Sequence, residues 1–480
     1  MRATRTDARG WMWTRIQLCT MCGFVVCVSG FSAQAKPNVV FIFADQWRGQ
    51  ATTWESDPNL IGKTPALDRL ATESLCFKYA ISCTPVCTPY RASLLTGQYP
   101  LRHGLFINDV PLKTNAVSLA KVYAAAGYDT AYIGKWHVDG HGRSAFIPRE
   151  RRQGFDYWNV LECSHDYNHS RYYAQDNSTL QTWDGYDAFA QTRDAQRYLT
   201  SRKTGDKPFL LVLSWGPPHN PYQTAPQTYA AQFDPARIVV RKNVTDTPAI
   251  RKDLAGYYGH IAALDRALSD LLKTLDEQGL RDNTIVVFTS DHGDMLGSHG
   301  EIRKQRPWDE SIRVPLLIRY PAKIKGGRVS ELLINTPDFM PTLLGLSEVT
   351  VPDTVQGENY AAVLRGEKPE PEEGAALIAC YAPFGEWTAE KGGRAYRGVR
   401  TKRYTYVRAL DGPWLLYDNV RDPYQLENRV TDPTCRAVRE TLDAELMRLL
   451  AKTGDDFRPG IDYIRLWGYR VDKTGTAPIK

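Results

Sequence analysis

The chain has 480 residues, with 60 Lys plus Arg against 54 Asp plus Glu and a net charge of only +6. At 42% hydrophobic and 24% charged residues, its composition excludes collagen-like, disordered and multi-span membrane classes. No basic run or stripe marks a nucleic-acid partner.

At the start, Arg2, Arg5, Arg9 and Arg15 precede an apolar stretch at 16–31 that ends in Ser32-Ala33-Gln34-Ala35. A basic start, a short apolar run and an Ala-x-Ala site make residues 1–35 a signal peptide with cleavage after Ala35. The run is short of the roughly 20 apolar residues that cross a bilayer. The expectation is an exported protein, periplasmic or extracellular, with no integral membrane span once the signal is removed. Cys76, Cys83, Cys87, Cys163, Cys380 and Cys435 remain, too few for a disulfide scaffold but enough for one or two bridges.

Next, apolar β-branched runs alternate with helical patterns. Strands are predicted at 38–44 (NVVFIFA), 130–134, 208–215 (PFLLVLSW) and 284–290 (TIVVFTS). Helices are predicted at 65–74, 116–126, 187–203 and 252–278; the last carries Leu254, Tyr257, Ile261, Leu264, Leu268 and Leu271 at helical spacing. This is an α/β pattern: a large, mostly parallel central sheet flanked by helices, assigned to a catalytic domain at 36–365. A charged Pro/Gly stretch at 366–374 reads as a linker. It opens a C-terminal subdomain, 366–480, with short strands at 376–381, 396–400, 403–408 and 413–417 and a helix at 435–451. A smaller antiparallel sheet packed by a helix is expected there.

In open parallel sheets, ligands bind beyond the carboxyl ends of the strands. The first strand ends in Asp45-Gln46, the second in Gly134-Lys135-Trp136-His137, the third runs to His219-Asn220, and the fourth ends in Asp291-His292-Gly293-Asp294. A single loop Asp is an ordinary turn or cap residue; four chemically loaded strand ends together point to a site. Two Asp-led pairs suit a hard divalent cation bound through oxygen, calcium or magnesium rather than zinc, since no closed Cys/His zinc spacing is present.

The most specific stretch is CTPYRASLLTG at 87–97. Pro89 fits the first turn of a helix and Gly97 its end, which places Cys87 at a helix N-terminus favourable to an anion. An isolated cysteine in an exported chain is otherwise a core or disulfide residue.

Cys-x-Pro-x-Arg followed by this helix resembles the signature of the type I sulfatases, formylglycine-dependent members of the alkaline-phosphatase superfamily. The likeness extends from KPNVV at 36–40 to about residue 425. It takes in TPALDRLA at 64–71, GKWH at 134–137, SDHGDMLG at 290–297, RVPLLI at 313–318 and LYDNVRDP at 416–423. The resemblance implies that a maturation enzyme converts the motif cysteine to formylglycine. Cys83 also begins a Cys-x-Pro, but only Cys87 has an Arg four residues on, so Cys87 is the expected site. It further implies Asp45, Gln46, Asp291 and His292 as metal ligands together with modified Cys87, and Ca2+ ahead of Mg2+ or Mn2+. In the implied chemistry one hydroxyl of the hydrated aldehyde attacks sulfur, and the other loses its proton to expel sulfate. Arg91 would hold the hydrate, Lys135 and Lys304 the sulfuryl oxygens, His137 would be the base and His219 the acid at the leaving oxygen.

Two departures from the family pattern stand out: Gln46 replaces the commoner second Asp, and Tyr90 replaces the usual Ser. The expected activity is hydrolysis of sulfate esters on a sulfated polysaccharide or oligosaccharide. Two alternatives remain: a phosphonate monoester or phosphodiester hydrolase with the same centre, and a non-catalytic glycan-binding relative. The stretch 139–173, rich in His, Arg and Tyr (Arg143, Arg149, Arg151, Arg152, His165, Arg171), reads either as an anionic-sugar loop or as a solvated insertion.

Overall fold

The structure is a computed structural model that describes residues 36–203 and 205–478; the signal peptide expected at 1–35 lies outside them. Its strands, in chain order, are β1 (Asn38–Asp45), β2 (Leu75–Ile81), β3 (Asp129–Lys135), β4 (Tyr157–Leu161), β5 (Arg171–Ala174), β6 (Gln181–Thr182), β7 (Phe209–Pro218) and β8 (Thr284–Ser290). There follow β9 (Arg313–Val314), β10 (Leu316–Arg319), β11 (Arg328–Asn335), β12 (Ala375–Cys380), β13 (Tyr396–Thr401), β14 (Tyr404–Ala409) and β15 (Gly412–Asp418).

The large sheet runs β11-β2-β10-β8-β1-β7-β3-β4-β5-β6, with β9 paired to β2. The four strands legible as apolar runs, β8, β1, β7 and β3, are adjacent and parallel at its centre. Their side chains are buried almost throughout, which is why they read as continuous apolar stretches rather than alternating ones. Register aligns their ends: Phe43 and Gly134 both face Ser214, and Ala44 faces Ser290. The carboxyl ends therefore open on one edge. Because β10 is antiparallel to both β8 and β2, β2 points the same way as β1 and delivers residues 82–87 to that edge.

The helices Asp187–Thr200 and Pro248–Glu277 cover one face of the sheet, and Cys87–Thr96 and Phe339–Leu346 the other. Thr247 caps the long helix, its side chain accepting from the Ile250 amide, with Pro248 in the first turn. The strands that the apolar pattern did not single out, β2, β4–β6 and β9–β11, are mostly short or interrupted by charge. β11 alternates exposed and buried residues before turning apolar, and β10 is only four residues long. Such runs carry little periodic signal.

The second sheet, β12-β13-β14-β15, is antiparallel throughout. One face meets Tyr79 and Ile81 of β2, Leu333 of β11 and Ile312 of the short helix Asp309–Ile312. The other is covered by the helix Arg436–Thr453 through Leu442, Leu446, Leu449 and Leu450, each contributing about 2 kcal/mol of burial. None of the six cysteines among the described residues forms a disulfide. No described helix is long and apolar enough to cross a membrane.

Candidate active site

Cys87 opens the helix Cys87–Thr96, which ends at Gly97 in a left-handed conformation (φ 65°). The thiol is 1% exposed. Its sulfur lies 3.3 Å from His292 Nε2, 3.4 Å from Lys304 Nζ, 3.6 Å from Asp45 Oδ1 and 3.8 Å from Lys135 Nζ. Burial and Asp45 would raise this thiol, but Lys135, Lys304 and His292 outweigh them and hold it well below its usual range. Cys83, by contrast, lies 3.7 Å from Ser93 Oγ in an apolar cluster with Tyr99 and Leu377, and is pushed up to about 11 by burial. The two cysteines of the repeated Cys-x-Pro thus occupy opposite environments.

Beside Cys87, one ligand atom each from Asp45, Cys87, Asp291 and His292 lie within 4.8 Å of one another. His292 Nδ1 donates to the Gly293 carbonyl at 3.0 Å, which leaves Nε2 facing both carboxylates at 3.6 Å. Gln46 Nε2 donates to Asp294 Oδ2 at 2.7 Å, and Tyr222 donates to the same oxygen at 2.6 Å. That bond fixes the amide, and Gln46 Oε1 is left buried with no hydrogen-bond partner. A lone pair, an orphaned amide oxygen and two carboxylates converging in a buried site fit a hard divalent cation. Without an ion, burial and the neighbouring Asp45 push Asp291 up to about 6.

Arg91 follows Cys87 by one helical turn. Its guanidinium donates to Lys135 O (2.6 Å), Ser214 Oγ (2.9 Å), Asp45 Oδ2 (3.1 Å) and Asp291 Oδ2 (3.3 Å), and lies over the Phe43 ring. It reaches the two carboxylates, and no hydrogen bond joins it to Cys87 among the described residues. Lys135 Nζ adds a 2.6 Å bond to Asp45 Oδ2. Burial alone would raise Asp45; Lys135, Arg91 and Lys304 overcome it and hold the carboxyl well below the usual range. Lys135 reaches this point because Gly134 lets β3 pass close to β7: a Cβ at Gly134 (φ 107°) would stand 2.0 Å from the Ser214 carbonyl oxygen.

Two histidines complete the set. His219 Nδ1 donates to Asn220 O at 2.7 Å, so Nε2 accepts from Lys304 Nζ at 2.8 Å; its ring stacks on His165 with centroids 4.4 Å apart. Burial, Lys304 and His165 hold His219 well below its usual range, hence neutral. His137, in the left-handed region (φ 60°), donates from Nε2 to Asp109 Oδ1 at 3.2 Å and leaves Nδ1 buried without a partner. Burial would lower it, but the Cys163 thiolate, Asp109 and Cys87 push it up to about 10.

All the residues singled out in the sequence, Asp45, Gln46, Cys87, Arg91, Lys135, His137, His219, Asp291, His292 and Lys304, are thus brought together, each less than one-tenth exposed. Above them opens a cleft of about 280 Å³. Several of its residues carry no sequence signal. Asp109 accepts a two-point bond from Arg143 (3.0 and 2.8 Å) while holding His137. Asn108 accepts from the Thr88 amide. Phe384, Glu386 and Thr476 come from the far end of the chain. Of the basic stretch 139–173, only Arg143 and His165 line this cleft. Arg149 pairs with Asp156 and Asp176, Arg151 with Asp139, and Arg152 with Asp176 and the Gln175 carbonyl; these are structural.

The helix-flanked mixed sheet, with acidic and cationic groups gathered at its carboxyl edge, is the architecture of alkaline-phosphatase-type hydrolases. Residues 37–349 match the sulfatase family and residues 297–452 the C-terminal region of N-sulphoglucosamine sulphohydrolase. The chain belongs to the sulfatase family and is a sulfuric ester hydrolase. It is 47% identical over 451 residues to an ulvan-active sulfatase of Formosa agariphila, covering 92% of this chain and 86% of that one. It is 30% identical to an endo-4-O-sulfatase of Bacteroides thetaiotaomicron, covering 87% and 92%. A phosphonate monoester hydrolase of Agrobacterium radiobacter superposes with a TM-score of 0.72 at 25% identity, covering 87% and 96%.

Proposed function

We propose that this chain is an exported sulfatase that removes sulfate from a sulfated polysaccharide of the ulvan type or its oligosaccharides, with formylglycine at position 87 made by a separate maturation enzyme. The observation that carries the reading is the placement of Cys87 Sγ, within 3.8 Å of two lysines, His292 and Asp45 at once. The 47% relative, named for ulvan, supports the polysaccharide class.

Asp45, Gln46 Oε1, Asp291 and His292 Nε2 would hold the cation, calcium by the predominance of oxygen donors. The cation and the aldehyde hydrate together supply an activated oxygen nucleophile at position 87. The remaining groups act directly. Lys135 and Lys304 flank position 87 and hold the sulfuryl oxygens as charge builds on them. The Lys304–His219 pair shares one proton across 2.8 Å and faces the leaving oxygen. His137, tethered through Nε2 to Asp109, has Nδ1 as the atom free to exchange a proton with position 87. Arg91 braces Asp45 and Asp291 from behind and keeps like charges together.

The structural similarity to a phosphonate monoester hydrolase, together with Gln46 at the second ligand position, favours phosphoester cleavage as the second reading. Inorganic sulfate released from ulvan oligosaccharides and from an aryl sulfate, with Cys87→Ala as blank, tests the first reading. An aryl phosphodiester rate far above the sulfate rate would reverse the order. Peptide mass at position 87 tests the modification: retention of the thiol in protein from its native host counts against it.

A further inference from the structure

The sulfate chemistry proposed above accounts for Lys135, Lys304, His137 and His219, yet the cleft holds two more cations. Arg143 is set by Asp109, which takes its Nε and one terminal nitrogen. The other terminal nitrogen, Nη1, has no bond among the described residues. The side chain is 30% exposed, so that edge is open to a ligand. Arg303 lines the same cleft, immediately before Lys304. Its backbone is pinned in a left-handed turn (φ 62°), with its amide donating to Asp294 Oδ1 at 3.0 Å. Its guanidinium makes no ion pair and no hydrogen bond among the described residues. The carboxylates nearby do not cancel the positive charge of this wall: Asp109 pairs with Arg143 but is shared with His137, and Arg303 has no counter-charge among the described residues. Glu386, also on the cleft wall, pairs with neither arginine.

We propose that Arg143 and Arg303 form a second anion subsite beside the sulfate centre, which receives a carboxylate or a second sulfate on the same sugar or its neighbour. This rests on the sulfatase reading and narrows its substrate to one bearing two anionic groups. A guanidinium held at two points presents its remaining edge in a fixed plane, the geometry that suits bidentate oxyanion recognition. In a cleft of about 280 Å³, about the size of one small ligand, a second anion on a bound sugar cannot be far from that edge.

The test compares two matched pairs of substrates by kcat/KM for sulfate release. One pair is a uronate-containing sulfated disaccharide and its carboxyl-reduced alcohol; the other is a disulfated monosaccharide and its monosulfated counterpart. Wild-type enzyme is expected to favour the doubly charged member of one pair by roughly tenfold or more, and the pair that responds identifies the group. Arg143→Gln and Arg303→Gln should each bring that ratio towards one, while Arg143→Lys should keep part of it. The ratio is read within each variant, so a general loss of rate through His137 cancels. Ratios near one in both pairs for wild type, or a preference that survives both Gln variants, overturn the subsite. Failure to release sulfate from all four sugars and from 4-nitrophenyl sulfate overturns the sulfatase reading and this inference with it. Release from 4-nitrophenyl sulfate with flat ratios overturns the subsite alone.

Discussion

On the sheet side of the cleft, Asp45, Arg91, Lys135, Asp291 and His292 are buried and each bonds to at least two others or to backbone. On the loop side, Arg143, His165, Arg303, Glu386 and Thr476 are partly exposed, and only Arg143 is tied at two points by an ion pair. The first set stands on strand ends whose register is fixed by the parallel sheet, apart from Arg91 on the helix that Cys87 opens; the second stands on segments drawn from residues 143 to 476. Reaction chemistry tolerates little displacement and is built where the backbone is over-determined, whereas selectivity can vary on loops carried by that frame.

Substitutions that blur this contrast should rank accordingly. Cys87→Ala should abolish sulfate release, by roughly a thousandfold or more, without moving the thermal midpoint by more than a few degrees. A residual rate within tenfold of wild type would place the nucleophile elsewhere. Arg91→Ala leaves Asp45 and Asp291 buried without their shared counter-charge. It should cost about 3–5 kcal/mol in denaturant unfolding along with most activity; a change under about 1 kcal/mol would show that the sheet side is not braced as described. Chelation of divalent cations should remove activity and lower the melting temperature, and added Ca2+ should reverse both. Ligand linkage gives about 2.7 kcal/mol at a hundredfold excess over Kd. An unchanged melting curve after chelation would rule out a bound cation. On the loop side, Glu386→Gln should lower KM for an anionic oligosaccharide about twofold at low salt, with kcat unaltered and the effect fading near 0.5 M salt as charge is screened. A large kcat effect there would erase the distinction between the two walls.

The same contrast decides what could be read from the sequence. Asp45, Lys135 and Asp291 follow buried apolar runs, and His219 lies just beyond another, so strand prediction and chemistry coincide at these positions. The antiparallel strands of the second sheet were equally legible, because each is a short β-rich run bounded by turn residues. Asp109 gives no such signal. Its importance lies in meeting Arg143 across 34 residues and His137 across 28, which depends on how loops cross, not on local pattern. Phe384 and Thr476 enter the cleft for the same reason. Gly385 donates to the Thr474 carbonyl at 3.0 Å and draws the last described segment alongside the site. Composition marked 139–173 as basic but could not tell Arg143, facing the cleft, from Arg152, sealed against Asp176.

The inaccessibility of the Cys87 sulfur sets an order of events. With helix, sheet and both lysines closed around it, no second enzyme could seat this thiol in an active site of its own. The conversion proposed for position 87 therefore requires that the CTPYR segment be met while still extended, before β1 and β8 have brought their carboxylates together. On that proposal, residues that later serve as the tightest part of the fold must first be legible as a plain linear peptide, and mutations in this stretch would be judged twice, once by the maturation step and once by the finished site.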